Sequence, residues 1–299
     1  GVMCNRCCFR HHVQSWASPY ERLDVHWLRF EFDGTRGTAF VSDNTIIEVE
    51  SIDPIALLTG HGLARETGRT FQLDEVRLLS PVDPVRNVMC VGWNYLPHFE
   101  ERTRVHGERP LPDHPAFFSK TTTAVIGPND DVPAHTNLTE KLDYEVELGV
   151  VIGTRCSDLT EENALDAIAG FVVAQDISAR DLQKRHGDQW YKGKSLDGTC
   201  PVGPWLVSAD EIDDPQDLDI FCSVNGEVRQ ASNTKHMIFP IARILSELSA
   251  GLTLIPGDIV LTGTPEGVGM AMEPPVFLQP GDVIESTVAG IGTMRNRVV

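Results

Sequence analysis

A chain of 299 residues with 41% hydrophobic and 23% charged residues can bury a large core, and its length allows one big domain or a large one with a smaller companion. A formal charge of −18 speaks against nucleic acid as a partner, because the phosphates would be repelled, and against binding to an anionic membrane surface. No apolar stretch nears the length of a bilayer span and residues 1–10 lack the apolar centre of a signal peptide, so cytoplasmic residence is expected.

Residues 1–25 read as an atypical N-terminal arm. Cys4, Cys7, Cys8, His11 and His12 crowd there in a way that suggests a zinc knuckle, but no second well-spaced pair follows. Cys90, Cys156, Cys200 and Cys222 stand singly in apolar surroundings and read as reduced thiols. From Trp27, strand-like runs at 27–32, 37–41 and 45–49 are punctuated by Asp33-Gly34 and Asp43-Asn44. A short helix over 54–65 and a strand over 71–79 complete a small α+β domain, 26–84, which closes at Pro81-Val82-Asp83-Pro84. In the remaining region, 85–299, strands are expected at 87–91, 144–152, 171–175, 204–207, 220–224, 259–262 and 283–288, with helices at 161–169, 178–186 and 239–249. Strands outnumber helices without alternating with them, which indicates an α+β, predominantly β architecture and not a doubly wound sheet.

The strand at 87–91 leads into Trp93-Asn94-Tyr95-Leu96-Pro97-His98. Pro97 suits a first helical turn, which places His98 and Glu101 on one face as base and orienting carboxylate, or as a plain surface ion pair. The polar, proline-rich stretch up to residue 116 reads as a lid. Further on, Glu145 and Glu147 project from one face of an expected strand. The apolar run that follows, Leu148 to Gly153, looks covered on both sides, where unpaired carboxylates are very costly. Asp176 ends a second apolar run. An amphipathic strand with a solvated acidic face would explain the glutamates; a bound hard cation, Mg²⁺ or Mn²⁺, would explain all three carboxylates.

Ser178 and Asp181 have the spacing of a capping box, and Arg180 and Gln183 then share a helical face. Arg180 suits an anionic substrate group and Gln183 a developing oxyanion, although a surface pair is the simpler reading. Gly193-Lys194-Ser195 lacks the earlier glycine of a phosphate loop, since position 188 is Asp; Lys194, between small residues, reads as a cation held inward or as a solvent-exposed lysine. Thr264, in the glycine-rich turn ending the strand at 259–262, offers a hydroxyl.

Together these segments resemble the fumarylacetoacetate hydrolase family. The resemblance rests on Cys90-Val-Gly-Trp-Asn-Tyr95 with His98 and Glu101, Asp143-Tyr-Glu-Val-Glu-Leu-Gly149, Gln175-Asp-Ile-Ser-Ala-Arg-Asp181, Lys192-Gly-Lys-Ser195 through Pro204, and Thr262-Gly-Thr-Pro-Glu-Gly267. It covers Val85 to the C-terminus and implies a mixed β-roll catalytic domain, usually a homodimer, beside the small N-terminal α+β domain. It further implies Mg²⁺ or Mn²⁺ on Glu145, Glu147 and Asp176, catalysis by His98, Glu101 and Lys194, and a substrate site lined by Arg180, Gln183, Thr264 and Lys120. Asp143 reads as a neighbouring or surface carboxylate. The expected substrate is a small anionic 2-oxo acid whose carboxylate and oxo oxygen the cation chelates, easing any reaction that leaves charge at C3. Hydrolysis of an acylpyruvate or decarboxylation of oxaloacetate is the leading expectation. Isomerisation of the 2-hydroxyhepta-2,4-diene-1,7-dioate type is the alternative, and a catalytically silent metal or small-ligand binding relative is the alternative of another class.

Overall fold

The structure, a computed structural model, describes residues 26–299 except 43, 51–52, 60–63, 107–109 and 188; the arm and its Cys/His crowding lie outside the described residues. Among those residues, a 12-stranded sheet forms the backbone of the molecule, with a 4-stranded sheet and a 2-stranded ladder beside it. The path through the large sheet runs Glu66–Gln72, Thr45–Val49, Thr35–Ser42, His26–Phe32, Cys200–Ser208, Ile168–Gln175, Val146–Ile152, Ile259–Leu261, Val88–Gly92 and Ala116–Lys120. The N-terminal strands thus continue the sheet of the remainder, joined where Trp27 pairs with Leu206. The smaller sheet is ordered Glu227–Asn233, Asp219–Val224, Val283–Val288 and Gly292–Arg297. Few helices accompany these strands, in agreement with the expected β-rich α+β class.

The unbroken apolar run does become a strand covered on both faces: all of Val146–Ile152 is buried. Val146, Leu148, Val150 and Ile152 enter one core, shared with the small sheet and the helix Ile241–Ser249; Val151 enters another, with Val172, Ala174, Val202 and Leu261. That helix buries Ile241, Ile244, Leu245 and Leu248, a single apolar stripe, and each such side chain stabilises the fold by about 1.5–3 kcal/mol. Among the described residues no helix is long and apolar enough to cross a membrane.

Several expected elements differ. The helix at 54–65 is only Pro54–Leu58, started by Asp53, whose Oδ1 accepts from Ile55 N at 2.9 Å, and ended at Thr59. The strand at 71–79 is split, because the Glu75 carboxylate takes the Gln72 amide at 2.8 Å and closes a turn. The helix at 161–169 is a 3-10 turn, Ala164–Ala167, after which the β-branched residues of Ile168–Gln175 pair in the sheet. The helix expected from Ser178 begins later, as Arg180–Arg185, with Ala179 at the cap. Ser178 Oγ instead donates to Asp176 O, and Asp181 Oδ1 accepts from Thr139 Oγ1 at 2.5 Å. Ala116–Lys120 is a strand where the lid was expected to end.

Candidate active site

Glu147 lies in the strand Val146–Ile152, opposite Ala174 of the antiparallel neighbour, and Glu145 stands just before it. Asp176 follows the end of that neighbour, and its amide donates to Glu145 O at 2.9 Å. Strand alternation sends Glu147 and Asp176 to the same side of the sheet, so two strand ends deliver three carboxylates to one point. One oxygen from each of Glu145, Glu147 and Asp176 lies within 4.8 Å of the others, and all three residues are buried.

Three cations surround them. Lys194 Nζ donates to Glu145 Oε2 and Asp176 Oδ2, both at 2.6 Å, and sits 4.9 Å from the centre of the Phe118 ring. Lys120 Nζ donates to Asp176 Oδ1 at 2.8 Å, to Ile177 O at 3.0 Å and to Lys194 O. Arg180 Nε donates to Asp143 Oδ2 at 2.8 Å, and its Nη2 lies 2.6 Å from Glu145 Oε1 without an aligned N–H. From the other side, Gly263 N donates to Glu147 Oε2 at 2.7 Å. Gly263 has φ +100, and a Cβ there would stand 2.7 Å from Asn94 Cβ, so glycine is what brings this amide in.

The electrostatics divide the carboxylates. Burial opposes ionisation of Glu145, but Arg180 and Lys194 hold it below the usual carboxylate range. Burial, reinforced by Asp176 and Glu145, pushes Glu147 well above that range. Burial likewise opposes the Lys194 charge, yet Asp176 and Glu145 keep it more firmly protonated than an ordinary lysine. Four buried carboxylates, counting Asp143, face three cations, and Glu147 is the one with no cation bonded to it. An all-oxygen donor set with surplus negative charge suits a hard divalent cation, so these residues fit a metal.

A cavity of about 910 Å³ opens onto this cluster. Its lining includes His98, Glu101, Glu145, Glu147, Arg180, Gln183, Lys194 and Thr264, so eight of the ten residues singled out from the sequence meet at one place. Asp176 lies beneath the cavity. Lys120 does not line it either: its ammonium is spent on three oxygens behind Asp176 and Lys194, which makes it a support and not the pocket lysine expected. Thr264 reaches the wall, but its hydroxyl donates to Val146 O at 2.9 Å and accepts from Gln230 Nε2 at 2.8 Å, so its proton is committed to the fold.

The helix Leu96–His106 carries His98 and Glu101 with Nδ1 and Oε2 3.1 Å apart. Gly267 N approaches both Glu101 oxygens, at 3.2 and 3.3 Å, marking them as acceptors. The Nδ1 then carries a proton, which in the neutral ring leaves the lone pair on Nε2. Gln183 Oε1 accepts from Arg180 Nη1 at 3.4 Å, which turns its NH₂ group elsewhere.

One feature escaped the sequence reading, and of the two readings of Asp143, neighbouring or surface carboxylate, the structure favours the first. An aromatic wall forms where Trp190 meets Trp93 edge-on at 4.5 Å and Phe118 at 5.3 Å, fitting against Gly92, where a Cβ would stand 2.5 Å from the Trp190 ring. Asp143 is fully buried and accepts from Arg180 Nε and from the amides of Tyr144, Gly269 and Met270, at 2.8–3.1 Å. It ties Arg180 to the loop that closes the cavity floor. Since every partner is a donor, Asp143→Asn is expected to cost about 3 kcal/mol in urea unfolding and to raise KM; an unchanged midpoint would show that the clamp is dispensable.

Among the described residues, the fully buried thiols are poor nucleophiles. Burial pushes Cys200 and Cys222 up to about 12 and Cys90 well above its ordinary value.

Comparison with known proteins places this geometry. The family model described as fumarylacetoacetate (FAA) hydrolase C-terminal matches residues 87–299, and one described as Rv2993c-like, N-terminal matches residues 25–81. The chain is 44% identical over 229 residues to the oxaloacetate tautomerase YisK of Bacillus subtilis, covering 76% of this chain and 75% of that protein. It is 44% identical over 225 residues to the 2,4-didehydro-3-deoxy-L-rhamnonate hydrolase of a Sphingomonas species, covering 75% and 77%. A crystal structure of 2-hydroxyhepta-2,4-diene-1,7-dioate isomerase from Mycobacterium marinum superposes with a TM-score of 0.75 at 37% identity, covering 92% of this chain and 98% of that one.

Proposed function

Given that the chain belongs to the fumarylacetoacetate hydrolase family of enzymes, we propose that it moves a proton at C3 of a small 2-oxo acid, interconverting the keto and enol forms of an oxaloacetate-type substrate. The observation that carries this reading is that the His98–Glu101 pair and the carboxylate–lysine cluster line one cavity. The similarity to a tautomerase, a hydrolase and an isomerase supports it, since an enolate at C3 is common to all three reactions.

In this reading Glu145, Glu147 and Asp176 hold Mg²⁺ or Mn²⁺, which when bound supplies Lewis-acid charge beside the carboxylate and oxo oxygen of the substrate. Arg180 and the NH₂ group of Gln183 orient the substrate carboxylate. His98 Nε2 takes the C3 proton, the electron pair moves onto the oxo oxygen, where the Lys194 ammonium stabilises the charge, and a proton from solvent on that oxygen completes the enol; the reverse steps return a proton to C3. Glu101 keeps the imidazole in the required tautomer and stabilises it once it is charged. The Trp93–Trp190–Phe118 wall limits water. The reading also includes a homodimer and a boundary near residue 84 between an N-terminal domain and the catalytic one.

Hydrolysis is the second reading: the same Nε2 can deprotonate a water, and cleavage at C3–C4 of an acylpyruvate leaves the same enolate. Proton NMR in D₂O separates the two. Deuterium entering C3 of oxaloacetate faster than pyruvate appears supports tautomerisation; pyruvate release from an acylpyruvate with no C3 exchange supports hydrolysis. Turnover of neither acid would remove both readings.

The cation assignment has its own test. Glu147 is held protonated above the ordinary range, and a ligand carboxyl must ionise, so binding releases a proton and tightens as pH rises. Without cation, the native state keeps a proton that the unfolded chain gives up near 4.5, so stability falls as pH rises from there toward the raised native value. Melting curves with chelator should show that decline, and Mg²⁺ or Mn²⁺ should reverse it by an amount that grows with pH. No cation-dependent shift at any pH would sink the assignment.

A further inference from the structure

We propose that Lys184 is the residue that reads a second, distal anionic group on the substrate, making the enzyme selective for 2-oxo dicarboxylates over monocarboxylates of the same length. The inference rests on the reading of the site as one for 2-oxo acids and deepens it.

The short helix Arg180–Arg185 forms one wall of the cavity, and Arg180, Gln183, Lys184 and Gly187 all line it. Arg180, Gln183 and Lys184 share one helical face, and Gly187 follows after the helix has ended. Along that face Arg180 is buried against Glu145 and Asp143, and Lys184, one turn further along the helix, is exposed. Four residues of helix advance the chain by about 6 Å, a span matching the distance between the two ends of a short dicarboxylate.

Lys184 differs from Arg180 and Lys194, the other Lys and Arg side chains that line the cavity. Arg180 and Lys194 are both paired with carboxylates of the cluster. Among the described residues, no carboxylate lies within 4.0 Å of the Lys184 ammonium. A cavity lined by Glu101, Glu145 and Glu147, in a chain of net charge −18, repels a dianion unless a local cation faces it. Lys184, which lines the cavity and is exposed where Arg180 is buried, supplies that cation. The aromatic side chains across the cavity offer no charge to the same group.

The test compares oxaloacetate with 2-oxobutanoate, which has four carbons and no distal carboxylate. The full chain is loaded with Mn²⁺ or Mg²⁺, and C3 deuterium exchange and calorimetric affinity are measured for wild type, Lys184→Ala, Lys184→Arg and Lys184→Glu. The side chain is exposed, so the contrast is modest: the ratio of kcat/KM for the two acids should fall about fivefold in Lys184→Ala, carried by KM. It should be kept by Lys184→Arg, fall further in Lys184→Glu, and shrink with added salt. Equal losses on both acids, or an unchanged ratio in the alanine and glutamate variants, would overturn the proposal. If wild type exchanges neither acid, the functional reading fails on its own, and calorimetry still decides the role of Lys184: wild type must bind oxaloacetate more tightly than 2-oxobutanoate, and the alanine variant must lose that preference.

Discussion

Replacing Lys194 with methionine should lower kcat/KM by about 10²–10³ and at the same time strengthen divalent-cation binding. The two effects have one cause. The ammonium lies 2.6 Å from both Glu145 and Asp176, two of the three carboxylates that would hold the cation, so it competes electrostatically for the oxygens it helps to orient. Methionine keeps most of the volume and the contact with Phe118 but removes the charge. Without cation, the variant leaves the buried carboxylates with only Arg180 and Lys120 to balance them and should lose about 3 kcal/mol of stability. With Mg²⁺ or Mn²⁺, much of that loss should return, because the metal replaces the missing charge. Calorimetric titration and cation-dependent melting decide the matter. Cation affinity that is unchanged or weaker in Lys194→Met would mean that the lysine does not share the site.

His98→Ala should reduce C3 exchange by about 10²–10⁴ while leaving the carboxylate cluster intact. Its imidazole touches Glu101 and the cavity but none of the three triad carboxylates by hydrogen bond, so cation binding should persist. Oxalate, which reaches only the triad end, should still protect the variant against thermal unfolding. Glu101→Gln should have a related effect for another reason: an amide presents a donor toward Nδ1 or Gly267 N, which disfavours the tautomer that exposes the Nε2 lone pair. A His98→Ala enzyme with near-normal exchange would transfer the proton-carrying role to another group or to solvent.

Much of this was legible locally, because strand and helix periodicities decide which side chains share a face. The apolar run after Glu147 announced a strand buried on both sides, and Val146–Ile152 is one. Pro97 announced a helix start, and His98 and Glu101 do meet one turn apart. The oxygen-rich, cysteine-free grouping of Glu145, Glu147 and Asp176 was equally visible, since one expected strand began with the glutamates and another ended at the aspartate. Placement of the supports was not legible. Lys120 reaches Asp176 across 56 residues, Gly263 reaches Glu147 across 116, and Asp143 reaches Gly269 across 126.

No local pattern encodes such distances, because these pairings arise only when the sheet order sets strands from distant parts of the chain side by side. For the same reason the structure alone distinguishes Lys120, whose ammonium is exhausted on three oxygens, from Lys194, which faces the cavity. It likewise shows that the Thr264 hydroxyl donates its proton to Val146 O. The sequence by itself determined the chemistry available at the site, through the kinds of residue and their faces. Only the tertiary structure decided which of those groups still have a lone pair, a proton or a charge left for a substrate, because that depends on partners that long-range packing supplies.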